Sequence, residues 1–215
     1  VGGGFLGAND GDGWDSDPSD PGDWISASDA QLPLFAGCTV EDSSWHGTRV
    51  AGLIGARTNN VTGSAGATWA SWILPLRCLG KCSGSNADIL QAMRWAAGLH
   101  VDGVPDNPYP ARVLNLSLGA AGSCPQGYQA VIAELDAPGV VVVASAGNSG
   151  APVEFPANCP GAMAVAGLRH VGTKVGYSNL GREVAVAAPA GNCVNLTGPC
   201  LFALDTTIDQ GTTTP

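Results

Sequence analysis

Charged residues are scarce in this chain, and basic residues are scarcer than acidic ones. The 215 residues include 9 Lys and Arg against 18 Asp and Glu, so that only 13% of the chain is charged and its formal net charge is −9. Because nucleic acids are bound through basic patches that meet their phosphates, we expect no nucleic-acid partner. With 45% apolar residues, the chain is nevertheless expected to be globular rather than disordered.

Long apolar runs are also missing. No stretch approaches the roughly 18 apolar residues that a membrane-spanning helix needs, so we expect no membrane association. The first residues, VGGGFLG, lack the basic segment and the long apolar segment of a secretion signal. A signal for export would therefore have been removed or lie outside this chain. No long apolar stripe requires a partner subunit, which favours a monomer.

The seven cysteines form no CxxC motif and have no histidine cluster beside them, which argues against a zinc site. Structural disulfides in an oxidising compartment are the better interpretation, and they indicate an extracellular or periplasmic protein. Seven is an odd number, so at least one thiol is free or pairs outside the chain. Spacing alone does not predict which cysteines pair.

The order of predicted elements indicates the fold class. Residues 1–45 are rich in Gly, Asp, Ser and Pro and are predicted to be loop, and 71–78 could be a buried strand, although Pro75 weakens it. Helices are predicted at 46–56, 85–100 and 126–137, and strands at 112–118, 140–144, 162–167 and 183–188. Strands separated by helices imply parallel crossovers. We therefore predict one α/β domain over residues 1–215, with a three-layer, mostly parallel sheet and helices on both faces.

Three segments place chemically useful residues at the starts or ends of these elements. His46, in HGTRVAG, stands at the start of a predicted helix, where a histidine can move protons in a cleft, although a lone histidine is more often structural. Asn148 follows the apolar run VVVASAG, so its amide could donate to an oxyanion, or Asn148-Ser-Gly could be only a turn. The run VLNLSLG ends in Ser117, Leu118 and Gly119, which could pair with an extended peptide or form a buried strand and turn.

Taken in this order, HGTxVAG, NxSLG and VVVAxAGN resemble the subtilisin-like serine peptidases, and the acidic loop and cysteine-bearing insertions resemble their secreted bacterial branch. The later segments FPA, AVAG, YSN and VAVAAP are also similar to that family. The resemblance implies that His46 is the general base and acid acting on a serine, and that the Asn148 side chain binds the oxyanion. It implies a substrate groove with Ser117, Leu118 and Gly119 on one side. Another wall, and part of the primary specificity pocket, would be lined by Ala144, Ser145, Ala146 and Gly147.

Two family motifs are not found in the chain. The aspartate motif VxD[ST]G does not precede His46, and the final residues GTTTP do not match the nucleophile motif GTSxxxP. We therefore interpret the chain as a fragment that is incomplete at both ends and inactive by itself, since a serine triad works as a unit. A catalytically dead homologue that binds extended peptides is the alternative. A third interpretation is an unrelated calcium-stabilised binding domain, which would require the three ordered motifs to occur together by coincidence.

The acidic loop NDGDGWDSDPSD, at 9–20, carries carboxylates two and three residues apart. Calcium takes six to eight oxygen ligands, so such a loop could wrap one ion, and family members similarly hold calcium before the histidine helix. A solvated loop is the alternative. The predicted ligands of a structural calcium ion are Asp10, Asp12, Trp14 through its carbonyl, Asp15 or Asp17, and Asp20.

The resemblance also implies disulfides Cys38–Cys82, Cys124–Cys159 and Cys193–Cys200, with Cys78 as the odd thiol. The predicted activity is that of a secreted, extracellular serine endopeptidase which acts through an acyl-enzyme. Its partners would be protein or peptide substrates, with an inhibitory propeptide left open. The small residues at 144–147 fit a broad or apolar preference, but the far wall of the primary pocket is unassigned.

Overall fold

The computed structural model describes residues 5–11, 13–194 and 200–214 and divides the chain into two compact units. The first unit comprises Val1–Ala92, His100–Asp106 and Asp205–Pro215, and the second comprises Met93–Leu99 and Asn107–Leu204. That residues 1–215 form a single domain stays a prediction. Among the described residues, no helix is long and apolar enough to cross a membrane.

The regular structure of the first unit is helical. It contains helix α1 (Phe5–Ala8), 3-10 helices at Asp29–Gln31 and Pro33–Phe35, and helix α2 (His46–Gly55). The prediction of loop throughout residues 1–45 is wrong for the short helical turns. Proline at the first position of the second 3-10 helix supplies the φ angle that such a turn needs, although its missing N–H breaks longer helices.

The apolar run 71–78 forms no strand with any part of the chain that the structure describes. The side chain of Trp72 is fully exposed, and Pro75 has no N–H to donate to a ladder. An apolar run becomes a strand only when a neighbour satisfies its backbone groups, and no described strand does so here. The expectation of a buried strand is therefore wrong.

The C-terminal residues 205–214 run along helix α2. The hydroxyls of Thr206 and Thr207 donate hydrogen bonds to helix carbonyls at 2.6 and 2.7 Å. Both threonine oxygens lie against Gly52, where an added Cβ would collide with them. The second glycine of the HGTRVAG segment is therefore required by this close packing.

The second unit is built on a four-stranded parallel sheet. Strands β1 (Val113–Leu116), β2 (Val141–Ser145), β3 (Ala162–Leu168) and β4 (Val184–Pro189) follow one another in sequence order across it. Helix α4 (Gln126–Asp136) lies between β1 and β2 in the chain and packs on β2 through its apolar face. The helix predicted at 126–137 and the four predicted strands agree with these elements to within two residues, whereas the helix predicted at 85–100 ends earlier, at Ala96. The predicted α/β fold with a parallel sheet is confirmed. Helix α3 (Asn86–Ala96) contributes residues to both units.

The sheet is packed with small side chains. A core cluster consists of Ala144, Ala146, Val153, Ala157, Ala164 and Ala166. Each of these side chains is at most 5% exposed. Because alanine side chains are short, neighbouring segments can pack closely against this part of the sheet.

The structure contains the three expected disulfides. Cys38–Cys82 lies in the first unit, and Cys124–Cys159 and Cys193–Cys200 lie in the second. Cys78 is a free thiol. The pairing that the family resemblance implied is confirmed.

Candidate active site

His46 is the first residue of helix α2, in the first unit, and its ring is exposed. The backbone N–H of His46 donates to the Ser44 hydroxyl oxygen at 3.3 Å. Ser44 in turn donates its backbone N–H and its hydroxyl to the Asp23 carboxylate, both at 2.6 Å. The imidazole makes no hydrogen bond to any described residue. Ser44 thus links the start of helix α2 to Asp23, and the imidazole remains available to hydrogen-bond another group.

The residue before His46 explains why the helix begins there. Trp45 has φ 48°, a left-handed conformation that costs a non-glycine residue free energy. Its indole is 3% exposed and donates to the Gly211 carbonyl at 2.6 Å. This buried anchor holds the strained residue in place and sets the direction from which His46 enters the helix.

Asn148 lies in the second unit, three residues beyond the end of β2, and its side chain is exposed. The carboxyl edge of a parallel sheet is where ligands bind in open α/β folds. The Asn148 amide makes no hydrogen bond to the described part of the chain, so both of its N–H donors are free. An amide in this position can stabilise negative charge that develops on a bound carbonyl oxygen.

The loop that carries Asn148 is held by a buried asparagine. The side chain of Asn179 is completely buried, and its Oδ1 accepts from the Ser149 N–H (2.9 Å), the Ser149 hydroxyl (3.1 Å) and the Ala151 N–H (2.9 Å). Its Nδ2 donates to Glu154 Oε1 at 3.1 Å, and its own N–H donates to the carbonyl of the residue before Asn148 at 2.9 Å. Five hydrogen bonds therefore position this loop.

The residues predicted to bind substrate lie near this loop, within the same unit. Ser117, Leu118 and Gly119 follow the last ladder pair of β1 and β2, Leu116–Ala144. The Ser117 hydroxyl accepts from an amide two residues earlier at 2.9 Å, and Gly119 is exposed. Their position after β1 is compatible with pairing to an extended chain.

In the second predicted wall, most side chains are buried, so backbone groups are the main candidates to contact a substrate. Ala144 and Ala146 are each 1% exposed and point into the core, whereas Ser145 is half-buried. Gly147 is buried with φ 110°, a conformation that favours glycine. The substrate-binding role of these residues stays a prediction.

Sequence reasoning missed two groups in this region, Asn179 and Glu154. Asn179 belongs to the YSN segment that resembles the family, but nothing in a short polar run shows that its side chain is buried. Glu154 precedes the FPA segment, and no periodicity draws attention to it. Both side chains gain their importance from contacts that are 25 to 30 residues apart in the chain.

Two carboxylates of the acidic loop form ion pairs with an arginine. Arg77 Nη1 lies 3.1 Å from Asp10 Oδ2, and Arg77 Nε lies 3.4 Å from Asp20 Oδ1. The Trp14 indole donates to the Asp88 carboxylate at 3.2 Å. A calcium ion bound between Asp10 and Asp20 would compete with this guanidinium.

The remaining carboxylates of the loop stabilise local turns. Asp15 accepts from the Asp17 N–H, and Asp17 accepts from the Ser19 N–H at 3.0 Å. Hydrogen bonds from the side chain and the backbone of Ser19 lower the pKa of Asp17. Asp12 lies outside the described residues. No three metal-ligating side chains come together among the described residues, and the calcium site stays a prediction.

The subtilase family model, Peptidase_S8, matches residues 34–215, and the chain belongs to this family. It is similar to an extracellular protease of Xanthomonas campestris, with 42% identity over 210 residues that cover 97% of this chain and 34% of the relative. It is also similar to an extracellular basic protease of Dichelobacter nodosus, with 40% identity over 87% of this chain and 32% of the relative. The chain thus spans about a third of the length of these curated relatives.

A comparison with solved structures supports the subtilisin-like fold. Proteases from Pseudoalteromonas arctica match with a TM-score of 0.88 and 39% identity, over 100% of this chain and 62% of the solved one. The predicted subtilisin-like fold is confirmed.

Proposed function

We propose that the protein containing this chain is a secreted serine endopeptidase which hydrolyses peptide bonds through an acyl-enzyme. Membership of the subtilase family and two relatives named extracellular proteases support this function. The observation that carries it is the Asn148 amide, exposed at the carboxyl end of β2 on a loop held by five hydrogen bonds.

The chemistry assigned to this chain has two parts. His46 takes the proton of a serine hydroxyl as that oxygen attacks the peptide carbonyl, and returns the proton to the leaving amine. Asn148 donates a hydrogen bond to the oxygen that becomes negative in the tetrahedral intermediate. A preorganised donor costs no rearrangement during the reaction, which is why a rigidly held loop suits this role. The serine and the aspartate that complete the triad would come from other segments of the protein.

The test measures hydrolysis of casein and of chromogenic peptides by the full-length protein. We expect Asn148→Ala to lower kcat by about 10²- to 10³-fold with little change in KM, because the lost donor acts mainly in the transition state. Asn60→Ala, which removes an exposed asparagine amide in the first unit, is the matched control and should retain near-normal kcat. An unchanged kcat for Asn148→Ala would refute the assigned role.

A homologue that binds extended peptides without cutting them is the alternative function. Full-length protein that binds peptides but releases no product, and that does not react with a serine-directed sulfonyl fluoride, would favour this alternative. The 215-residue chain tested alone is expected to be inactive in either case. The comparison between the chain and the full-length protein therefore separates an incomplete active site from a dead one.

We also propose that the acidic loop holds a structural calcium ion through Asp10, Asp12, Asp15 or Asp17, and Asp20, together with the Trp14 carbonyl. The described carboxylates fit this role only in part, since Arg77 already neutralises two of them. Calorimetry with CaCl₂, together with melting curves in the presence and absence of a chelator, tests the site. No binding heat and no change in Tm would refute it.

A further inference from the structure

The segment around Glu154 contacts both of the predicted substrate walls. The Glu154 N–H donates to the Ala146 carbonyl at 3.1 Å, just beyond the end of β2. The next residue, Phe155, exchanges two backbone hydrogen bonds with Ala120, at 3.0 and 3.2 Å. One short segment therefore spans from the end of β2 to the residues that follow β1. This position makes the segment a candidate for the unassigned far wall of the primary pocket.

The Glu154 carboxyl group lies against a glycine from each wall. A Cβ built on Gly119 would be 3.6 Å from Oε2, and a Cβ built on Gly147 would be 2.8 Å from the carboxyl carbon. Because neither glycine has a side chain, the Glu154 carboxyl group can lie close to the backbone of both walls. The acid is half-buried rather than fully enclosed.

The two carboxylate oxygens have different roles. Oε1 accepts from the Ser149 hydroxyl at 3.0 Å and from the Asn179 amide at 3.1 Å, which fixes the plane of the group. Oε2 accepts no hydrogen bond from the described residues. None of the ion pairs between described residues includes Glu154, so its charge has no basic partner there. The structure thus holds an oriented carboxylate beside Gly119 and Gly147, with one oxygen that accepts no hydrogen bond from the described residues.

We propose that Glu154 determines specificity, and that the pocket selects a Lys or Arg side chain on the residue whose carbonyl is attacked. This proposal rests on the endopeptidase function proposed above and names its substrate class. A cation in the pocket would supply the missing partner of Oε2 through a charge-assisted hydrogen bond. An apolar side chain would instead leave the carboxylate partly desolvated without compensation. A basic preference therefore replaces the broad or apolar preference expected from the small residues at 144–147.

The experiment compares peptides that differ only at this position, with Arg, Lys, Leu or Ala, on the full-length protein. We expect the highest kcat/KM for Arg and Lys. Glu154→Gln keeps an acceptor oxygen for Ser149 and Asn179 while it removes the charge. It should lower kcat/KM for the Arg peptide by roughly 10- to 100-fold relative to the Leu peptide. Glu183→Gln, which removes one carboxylate charge elsewhere in the same unit, is the matched control and should leave the Arg-to-Leu ratio unchanged.

Two kinetic outcomes would overturn the proposal. A wild-type preference for Leu or Ala would show that the carboxylate fills the pocket or lies outside it. An equal loss on all four peptides in Glu154→Gln would show that the residue only supports the Asn148 loop. Circular dichroism confirms that the variants fold.

Peptide binding keeps the two proposals separate. Isothermal titration with product-like peptides that end in Arg or Leu reports pocket preference without turnover. If no peptide is cleaved, the endopeptidase function fails, yet tighter binding of the Arg peptide that is lost in Glu154→Gln would still support the pocket assignment. Equal affinity for the two peptides would refute that assignment.

Discussion

Replacing Asn179 tests whether the buried asparagine positions the loop that carries Asn148. Asn179→Ala removes the acceptor of three hydrogen bonds and one donor to Glu154. At about 1 kcal/mol for each hydrogen bond, and with buried donors left unpaired, we expect the free energy of unfolding to fall by about 4 kcal/mol. Asn179→Asp keeps the acceptor oxygen but loses the donor and places a second carboxylate beside Glu154. Its expected cost is about 2 kcal/mol at pH 7.

Urea unfolding followed by tryptophan fluorescence measures these changes, and the chromogenic peptide assay at low urea measures the consequence for catalysis. In both Asn179 variants kcat should fall more than KM rises, because a displaced Asn148 amide is lost mainly from the transition state. Asn60→Ala removes an exposed side chain that accepts one hydrogen bond, from the Thr62 N–H, and should change stability by about 0.5 kcal/mol or less. A cost below about 1 kcal/mol for Asn179→Ala, or a stability loss without any loss in kcat, would refute the positioning role.

Two further predictions concern the first unit. Hydrogen bonds from the backbone and side chain of Ser26, together with the Lys81 ammonium at 3.0 Å, lower the pKa of Asp29 to about 2. Because the folded-state pKa is depressed, the stabilisation is complete above about pH 4 and is lost as the pH falls towards 2, so urea midpoints of Asp29→Asn should change less over that range than those of the wild type. Burial raises the pKa of the Cys78 thiol to about 11, so iodoacetamide at pH 8 should label it only after unfolding. Rapid stoichiometric labelling of native protein would contradict this.

Local sequence patterns predicted the regular elements well because their causes are local. Apolar residues at helical spacing predicted the helix at 46–56, and the structure has it at 46–55. The β-branched run after Gly139 predicted a strand, and β2 begins at Val141. The apolar run 71–78 has similar composition but forms no described strand, because strand formation also requires a partner that composition does not reveal.

For the candidate site, the sequence could predict some features and not others. The positions of His46 at a helix start and of Asn148 beyond a strand end could be predicted from ordered motifs, while their catalytic roles stay predictions. The disulfides could be paired only through the family resemblance, as spacing left them open. The calcium ligands, the substrate walls and the inactivity of the isolated chain stay predictions.

The sequence by itself determined the family and the fold class, because each follows from short motifs or a local periodicity, and the same motifs predicted His46 and Asn148 as the residues that bear the chemistry. Only the tertiary structure decided that Asn179 supports the Asn148 loop and that the Glu154 carboxylate lies between Gly119 and Gly147. Those contacts join segments that are brought together by the parallel sheet. A side chain acquires such a role from its neighbours in space, and the residue type alone does not specify those neighbours.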